Sequence, residues 1–260
     1  MRVTLLGTGT SHGVPVIGCG CAVCRSTDAR NKRTRTSAVI QANGVTLLLD
    51  TATELRLQVL RHGIERVDAV LYTHFHADHV SGLDDLKAFN AVLGGPIPCY
   101  GNASTEASLR ERYAYAFAGT PWIGAIPHVT FQVVTEPFGF GGLELIPVPL
   151  RHGRITSCGW RVGDVAYLTD TNGIPPESAG LLHGLELMII DALRFRPHPT
   201  HFSVAEALEA ISEFQPGLAL LTHLNHEVDH AANADLPAGV ELAFDGQIVE
   251  LPSQGRGLAL

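Results

Sequence analysis

Leu71-Tyr72-Thr73-His74-Phe75-His76-Ala77-Asp78-His79 closes an apolar run at residues 67–72 with four metal-capable side chains in six positions. The run reads as a buried strand, being short, apolar and bounded by polar residues. His74 and His76 stand two apart on an extended chain, and a period of two puts both rings on one face. Ala77 is small enough for the chain to turn there. Asp78 and His79 then present from the start of the helix that follows. Four ligands in so short a span are more than one tetrahedral ion takes from a single segment. They predict two neighbouring ions, with His74 and His76 on one and Asp78 and His79 on the other.

Two complete sites need further ligands, and strand ends offer them. His152 follows an apolar strand at 145–150, Asp170 follows one at 165–168, and His223 follows one at 218–221. A sheet can gather such ends into one pocket. The expected arrangement has His74, His76 and His152 on the first ion, Asp78, His79 and His223 on the second, and Asp170 bridging them. Imidazole-rich sites with a shared carboxylate suit Zn²⁺ or Mn²⁺, whereas Mg²⁺ takes oxygen ligands. Two ions about 3.5–4 Å apart hold a bridging hydroxide and make it a nucleophile near neutral pH. They also neutralise charge building in a transition state. That chemistry suits hydrolysis of a phosphoester, an amide or a thioester. The presence of 13 histidines among 260 residues points the same way.

Five cysteines occur, and Cys19, Cys21 and Cys24 fall within six residues as C-G-C-A-V-C. An odd total and this spacing read as metal ligation rather than a disulfide framework. Three thiolates need a fourth ligand for a closed tetrahedral zinc site. His226, three residues past His223, is the candidate. A structural zinc there would pin the loop at about residues 18–31 to the strand end that carries His223.

Working outward, residues 37–41 and 45–49 form strands around Asn43-Gly44, a hairpin signal. Residues 54–62 are helical and stop at Gly63. Ser203 with Glu206 makes a capping box for a helix to Phe214. Strands are also expected at 3–6, 97–100, 129–135, 143–150, 157–162, 185–190, 241–244 and 248–251. No helix follows each strand regularly, which disfavours a (β/α)₈ barrel. Hairpin-joined strands instead predict mixed sheets facing each other with helices outside, an α/β class. No linker interrupts the chain, so residues 1–260 read as one hydrolase domain.

The hydrophobic fraction is 45%, too apolar for disorder. The net charge is −8 with no basic run, which makes nucleic acid an unlikely partner. No apolar run is long enough to span a bilayer. The N-terminus reads as a strand into a Gly-rich turn rather than a signal peptide. With the cysteine usage, this places the chain in a reducing cytoplasm. The apolar stretch at 119–126 is where a homodimer would form, since exposed apolar patches usually cover something.

The motifs GTGTSHG near the start, THFHADH, a later His, an Asp after a strand and a late His together resemble the metallo-β-lactamase superfamily. The resemblance runs over nearly the whole chain. It implies an αββα sandwich of two mixed sheets with a two-metal site at its edge, and the ligand roles fall on the residues named above. GTGTSHGVPVIGCGCAVC followed by NKRTRTS narrows this. It resembles the phosphodiesterases of phosphonate catabolism that open 5-phosphoribosyl 1,2-cyclic phosphate. Those carry a structural zinc on three cysteines and a histidine, matched by Cys19, Cys21, Cys24 and His226. They also use a histidine between the bridging Asp and the last metal His, matched here by His201.

His201 lies just before the cap at Ser203, where an imidazolium could protonate a leaving alkoxide. His198 is its rival. His201 and Asp78 are thus the catalytic candidates, and Asp50 is expected to orient a ligand histidine or hold its turn. Among the other histidines, His12 is the one placed nearest the cleft. The function expected is hydrolysis of a small cyclic phosphate diester by attack of a metal-bridging hydroxide. Three alternatives are a transfer-RNA 3′-end endoribonuclease, a thioester or lactone hydrolase of the same fold, and a metal-stabilised interaction protein.

Overall fold

The computed structural model describes residues 1–117 and 125–252. Strands β1 (Arg2–Gly7), β2 (Ser37–Ala42), β3 (Val45–Leu49), β4 (Ala69–Leu71), β5 (Ile97–Gly101) and β6 (Val129–Val133) enter a first sheet. Strands β7 (Phe138–Phe140), β8 (Leu143–His152), β9 (Ile155–Val162), β10 (Val165–Leu168), β11 (Leu187–Asp191), β12 (Leu218–Thr222) and β13 (Val240–Leu242) build the second. The last strand, β14 (Ile248–Glu250), returns to the first sheet beside β1. Both sheets have seven strands, in the orders β14-β1-β2-β3-β4-β5-β6 and β13-β12-β11-β10-β9-β8-β7.

The halves share one plan. In the first sheet β14-β1-β2-β3 pair antiparallel and β3-β4-β5-β6 parallel. In the second, β7-β8-β9-β10 pair antiparallel and β10-β11-β12-β13 parallel. The two pivot strands, β3 and β10, are followed by the same dipeptide, Asp50-Thr51 and Asp170-Thr171.

Among the described residues, seven helices cover the outer faces and the loops: α1 (Ala22–Arg25), α2 (Leu55–His62), α3 (Ala77–Val80), α4 (Lys87–Leu93), α5 (Ala103–Arg112), α6 (Pro176–Ala179) and α7 (Val204–Phe214). Alternation along the strands separates three apolar layers. Leu47, Leu49, Leu71, Trp160, Tyr167 and Ile189 fill the space between the sheets. Leu48 and Val70 point the other way, onto Leu55 and Val59 of α2. Leu168 and Ile190 likewise meet Val204, Ala207 and Phe214 of α7. Strands buried on both faces have to read as continuous apolar runs, and Leu47-Leu48-Leu49 and Met188-Ile189-Ile190 do. The result is an αββα sandwich, the metallo-β-lactamase fold.

Several local expectations need adjusting. The helix that opens at Asp78 and His79 is broken: α3 covers only Ala77–Val80, and a 3₁₀ turn at Leu83–Leu86 separates it from α4. The cysteine loop contains the short helix α1, capped by the Cys21 side chain accepting from Cys24 N–H. A thiol as cap gives no conventional signal. Strand β7 is only three residues long and carries too little pattern to register. The capping box at Ser203 and Glu206 is formed in full, and α7 ends at Phe214. The apolar stretch 119–126 lies largely outside the described residues. No helix among the described residues is long and apolar enough to cross a membrane.

Candidate metal centre

The carboxyl ends of β3, β4, β10, β11 and β12 meet at one edge of the sandwich, where parallel strands characteristically open a crevice. Three residues there hold a left-handed backbone although none is glycine: Asp50 (φ 59°), Asp170 (φ 55°) and His223 (φ 58°). Such conformations cost of order 1 kcal/mol each and persist where the surroundings demand them. Asp170 and His223 turn their side chains from strand ends into the crevice, and Asp50 turns its carboxylate beneath the His79 ring.

Asp170 is the pivot of the cluster. Its Oδ2 lies 3.6 Å from His74 Nε2 and 3.8 Å from His152 Nε2. Its Oδ1 lies 3.1 Å from His79 Nε2 and 3.3 Å from His223 Nε2. Asp78 Oδ2 closes the second group at 3.3 Å from His79 Nε2 and 3.6 Å from His223 Nε2. His76 joins the first group through Nδ1, 2.8 Å from His74 Nε2 and 3.4 Å from His152 Nε2. The seven residues read from sequence are therefore together, as two groups that share one carboxylate.

The opposite nitrogens are anchored. His79 Nδ1 donates to Asp50 Oδ2 at 2.7 Å, and His152 Nδ1 to the Thr200 carbonyl at 2.7 Å. Asp50 also accepts from Thr73 N–H and Thr73 Oγ1, each at 2.8 Å. Thr73 Oγ1 in turn lies 3.0 Å from His74 Nδ1. Such partners set the ring tautomer and leave Nε2 free to ligate.

The electrostatics suit divalent cations. Burial holds His74, His76 and His152 below their ordinary pKa, so their rings are neutral, as ligands must be. Burial works against the charge on Asp170, but His223, His79 and His74 outweigh it and hold the carboxyl well below the usual range. Burial also opposes charge on His79, yet Asp170, Asp78 and Asp50 draw positive charge to it. The Nε2 atoms of His79 and His223 are buried without a hydrogen-bond partner. A buried polar atom so placed calls for an ion, and an imidazole and carboxylate donor set fits a transition metal.

His201 stands next to this cluster. Its Nδ1 donates to Asp191 Oδ2 at 2.7 Å, and its Nε2 lies 4.0 Å from Asp170 Oδ2. Burial lowers the ring's pKa, but the Asp191 carboxylate more than compensates and raises it to about 9. His201 lines a cavity of about 700 Å³, along with His76, Asp78, His152, Asp170 and His223. His198 packs on the His201 ring and does not line the cavity. Ser11 does, rather than its neighbour His12.

Asp191 was not singled out in the sequence. Its signal is the pattern that also marks Asp50, an aspartate closing a buried strand, here Met188-Ile189-Ile190-Asp191. The basic NKRTRTS stretch is taken up internally: Arg33 is buried against the Asn225 and Val228 carbonyls, Arg35 pairs with Glu54, and Lys32 donates to the Cys24 carbonyl.

A second cluster lies apart from the cavity. Cys19, Cys21 and Cys24 place their sulfurs 3.2, 3.7 and 3.6 Å from His226 Nδ1. All five cysteines are free thiols. Hydrogen bonding from the Cys24 backbone leads the lowering of the Cys21 pKa to about 7, which favours a thiolate. Three sulfurs converging on one imidazole nitrogen make a closed set of four, the pattern of a structural zinc site.

Comparisons with known proteins agree with this geometry. The profile described as "Beta-lactamase superfamily domain" matches residues 45–224. An octanoyltransferase of Porphyromonas gingivalis is 37% identical over 251 residues, covering 95% of this chain and 51% of that protein. This chain thus spans about half the length of that relative. A ribonuclease Z of a Mycobacterium species is 26% identical over 285 residues, covering 95% of this chain and 92% of that one. Among solved structures, a diphosphatase from the PhnP family superposes with a TM-score of 0.90 at 40% identity, covering 97% of this chain and 98% of the other. A profile match over more than half the chain, together with a 40% identical relative matched end to end, makes this protein a member of the metallo-β-lactamase superfamily and of its PhnP family.

Proposed function

We propose that this protein hydrolyses a small cyclic phosphate diester, such as 5-phosphoribosyl 1,2-cyclic phosphate, as one hydrolase domain over residues 1–260. The observation that carries the reading is the Asp170 carboxylate, with one oxygen toward each histidine group and His201 beside it on an open cavity. His74, His76 and His152 would hold one divalent ion, and Asp78, His79 and His223 the other, with Asp170 between them. Zn²⁺ or Mn²⁺ suits these donors. Bound ions supply a nucleophile near neutral pH and offset charge developing on the phosphoryl oxygens.

The chain's own residues do the rest. Asp191 orients His201 and holds its Nδ1 proton, so that Nε2 faces the cavity. The Asp191 carboxylate favours the protonated His201 ring, which can donate to the departing alkoxide oxygen. Thr200 and Asp50 hold the His152 and His79 rings in place. Cys19, Cys21, Cys24 and His226 would take a structural Zn²⁺ that ties the N-terminal loop to the segment after His223. Reduced thiols fit a cytoplasmic protein.

Elemental analysis should find three metal ions per chain. Metal-loaded protein should turn over bis(p-nitrophenyl) phosphate and, faster, a sugar cyclic phosphate. No turnover of any phosphodiester would overturn the reading. The 40% identical relative is a diphosphatase, which favours one second reading, cleavage of a diphosphate. Faster turnover of a diphosphate ester than of every diester would move the assignment there.

A further inference from the structure

The loop between β11 and α7 carries His201, and its two limbs are held by different means. The limb at 199–202 is bonded to residues at the metal cluster. Phe202 N–H donates to the Thr171 carbonyl at 2.7 Å, His152 Nδ1 to the Thr200 carbonyl at 2.7 Å and Asn172 Nδ2 to the Pro199 carbonyl at 3.1 Å. Gly153 lies so close to this limb that a Cβ there would meet Thr200 Cγ2 at 2.7 Å. The limb at 194–197 is held by charged side chains instead. Arg194 reaches across it, donating from Nε to the Arg196 carbonyl at 3.1 Å and from Nη2 to the Pro197 carbonyl at 2.9 Å. Its Nη1 lies 3.8 Å from Glu227 Oε1. Arg196 grips the same carboxylate bidentately, Nη2 to Oε1 at 2.8 Å and Nε to Oε2 at 3.1 Å. Glu227 therefore engages both arginines and, through Arg194, the backbone of Arg196 and Pro197.

Glu227 projects from a segment that is pinned on both sides. Its N–H donates to Asn225 Oδ1 at 2.7 Å, and Asn225 N–H donates to the Leu193 carbonyl at 2.9 Å. The buried Arg33 donates to the carbonyls of Asn225 and Val228, which flank it. His226 of the cysteine cluster is the preceding residue. An isolated exposed ion pair adds little to stability, whereas a bidentate pair within a network constrains geometry. The Arg196 side chain is 71% exposed and that of Glu227 30%. The network thus bears on where the loop sits more than on whether the protein folds.

We infer that Glu227 is a positioning residue for His201: by fixing the limb at 194–197 through Arg194 and Arg196, it keeps the imidazole at its place on the cavity wall. The inference rests on the reading of His201 as the proton donor to the leaving oxygen. Such a donor depends on placement, and a shift of about 1 Å can cost on the order of 10²-fold in rate. The same tie gives the cysteine cluster a second route to the reacting site, since His226 and Glu227 are neighbours on one pinned segment.

The test uses metal-loaded full-length protein, its E227A, E227Q and R196A variants, and H201A as the reference. Two diesters separate a displaced acid from a damaged metal pair. A sugar cyclic phosphate releases an alkoxide, which needs a proton, and bis(p-nitrophenyl) phosphate releases a phenolate, which needs little help. E227A should keep its metal content and KM and lose about 10- to 100-fold in kcat on the sugar cyclic phosphate, with little loss on the aryl diester. R196A should follow it, the double variant should lose no more than E227A alone, and E227Q, which keeps an acceptor oxygen, should recover part of the rate. Equal losses on both diesters, or none on either, would overturn the inference. Backbone hydrogen exchange gives a readout that needs no turnover. E227A should speed exchange at residues 195–201 and leave α7 as in the parent; unchanged exchange in the loop would refute the tie. If H201A lost rate equally on both diesters, or the parent cleaved neither, the reading of His201 would fall instead, and the exchange result would decide whether Glu227 holds the loop.

Discussion

Asp50 with His79 and Asp191 with His201 form two carboxylate–imidazole pairs, one at the edge of each sheet. Both carboxylates are fully buried, and both meet the ring's Nδ1 at 2.7 Å. Both also accept a threonine backbone N–H from the neighbouring strand end, Thr73 for Asp50 at 2.8 Å and Thr171 for Asp191 at 2.9 Å. The difference lies at Nε2. That of His79 is buried between Asp170 and Asp78, while the His201 ring borders the cavity. A carboxylate behind an imidazole sets its tautomer and basicity. On the proposed function, what the far nitrogen faces decides whether the ring holds a metal or moves a proton.

The largest effect should come from the residue both groups share. Asp170→Ala removes the carboxylate between them, so bound metal should fall below two ions at the pair and turnover below detection. Two ions retained with measurable activity would break the scheme of a shared ligand. His201→Ala should keep the full metal content and lose about 10²–10⁴-fold in kcat, the range for removing a general acid. Loss of metal in that variant would make His201 a ligand and erase the contrast with His79.

Much of this cluster was legible because its residues sit on local signals. His74, His76, Asp78 and His79 share one motif, and Asp170 and His223 each follow a buried apolar run. Asp191 carries the same strand-end signal but was not connected to His201. The link depends on the loop after β11 folding back, with Leu193 N–H on the Phe202 carbonyl and Phe202 N–H on the Thr171 carbonyl, which brings His201 beside residue 191. Such a fold-back is a property of the packed chain that no spacing encodes. The same holds for Gly153 against Thr200 and for Arg33 against the Asn225 and Val228 carbonyls. The fold was more readable than the contacts within it, since apolar runs buried on both faces and hairpin turns repeat in each half. The elements that escaped, among them α1, α6 and β7, are only three or four residues long.

Replacing each supporting carboxylate by its amide sharpens the comparison further. Asp50→Asn should weaken metal binding by about 10- to 100-fold, as loss of a ligand's hydrogen-bond partner does. Asp191→Asn should leave metal affinity close to that of the parent and change the pH profile instead. Asp191 is what raises the His201 pKa to about 9 against burial. The protonated ring is present below that pKa and lost above it, so the alkaline limb of kcat should move to lower pH in the variant. Matching pH profiles would show that Asp191 does not control the His201 proton. A profile shift in Asp50→Asn, with metal binding intact, would interchange the two roles.

The smallest effect on catalysis should come from His226, an imidazole with no carboxylate partner among the described residues, whose Nδ1 faces three sulfurs. His226→Ala should cost one metal ion per chain and leave the other two in place. Its main consequence should be a lower melting temperature, because metal binding at a structural site is folding free energy. A modest loss of rate is expected as well. Leu224, next to His223, exchanges backbone hydrogen bonds with Thr8 and Thr10 of the N-terminal loop, and slackening that loop would loosen the His223 ring. If His226→Ala abolished turnover while the remaining two ions stayed bound, the cysteine cluster would be part of the reacting site, and what a nitrogen faces would no longer suffice to assign its role.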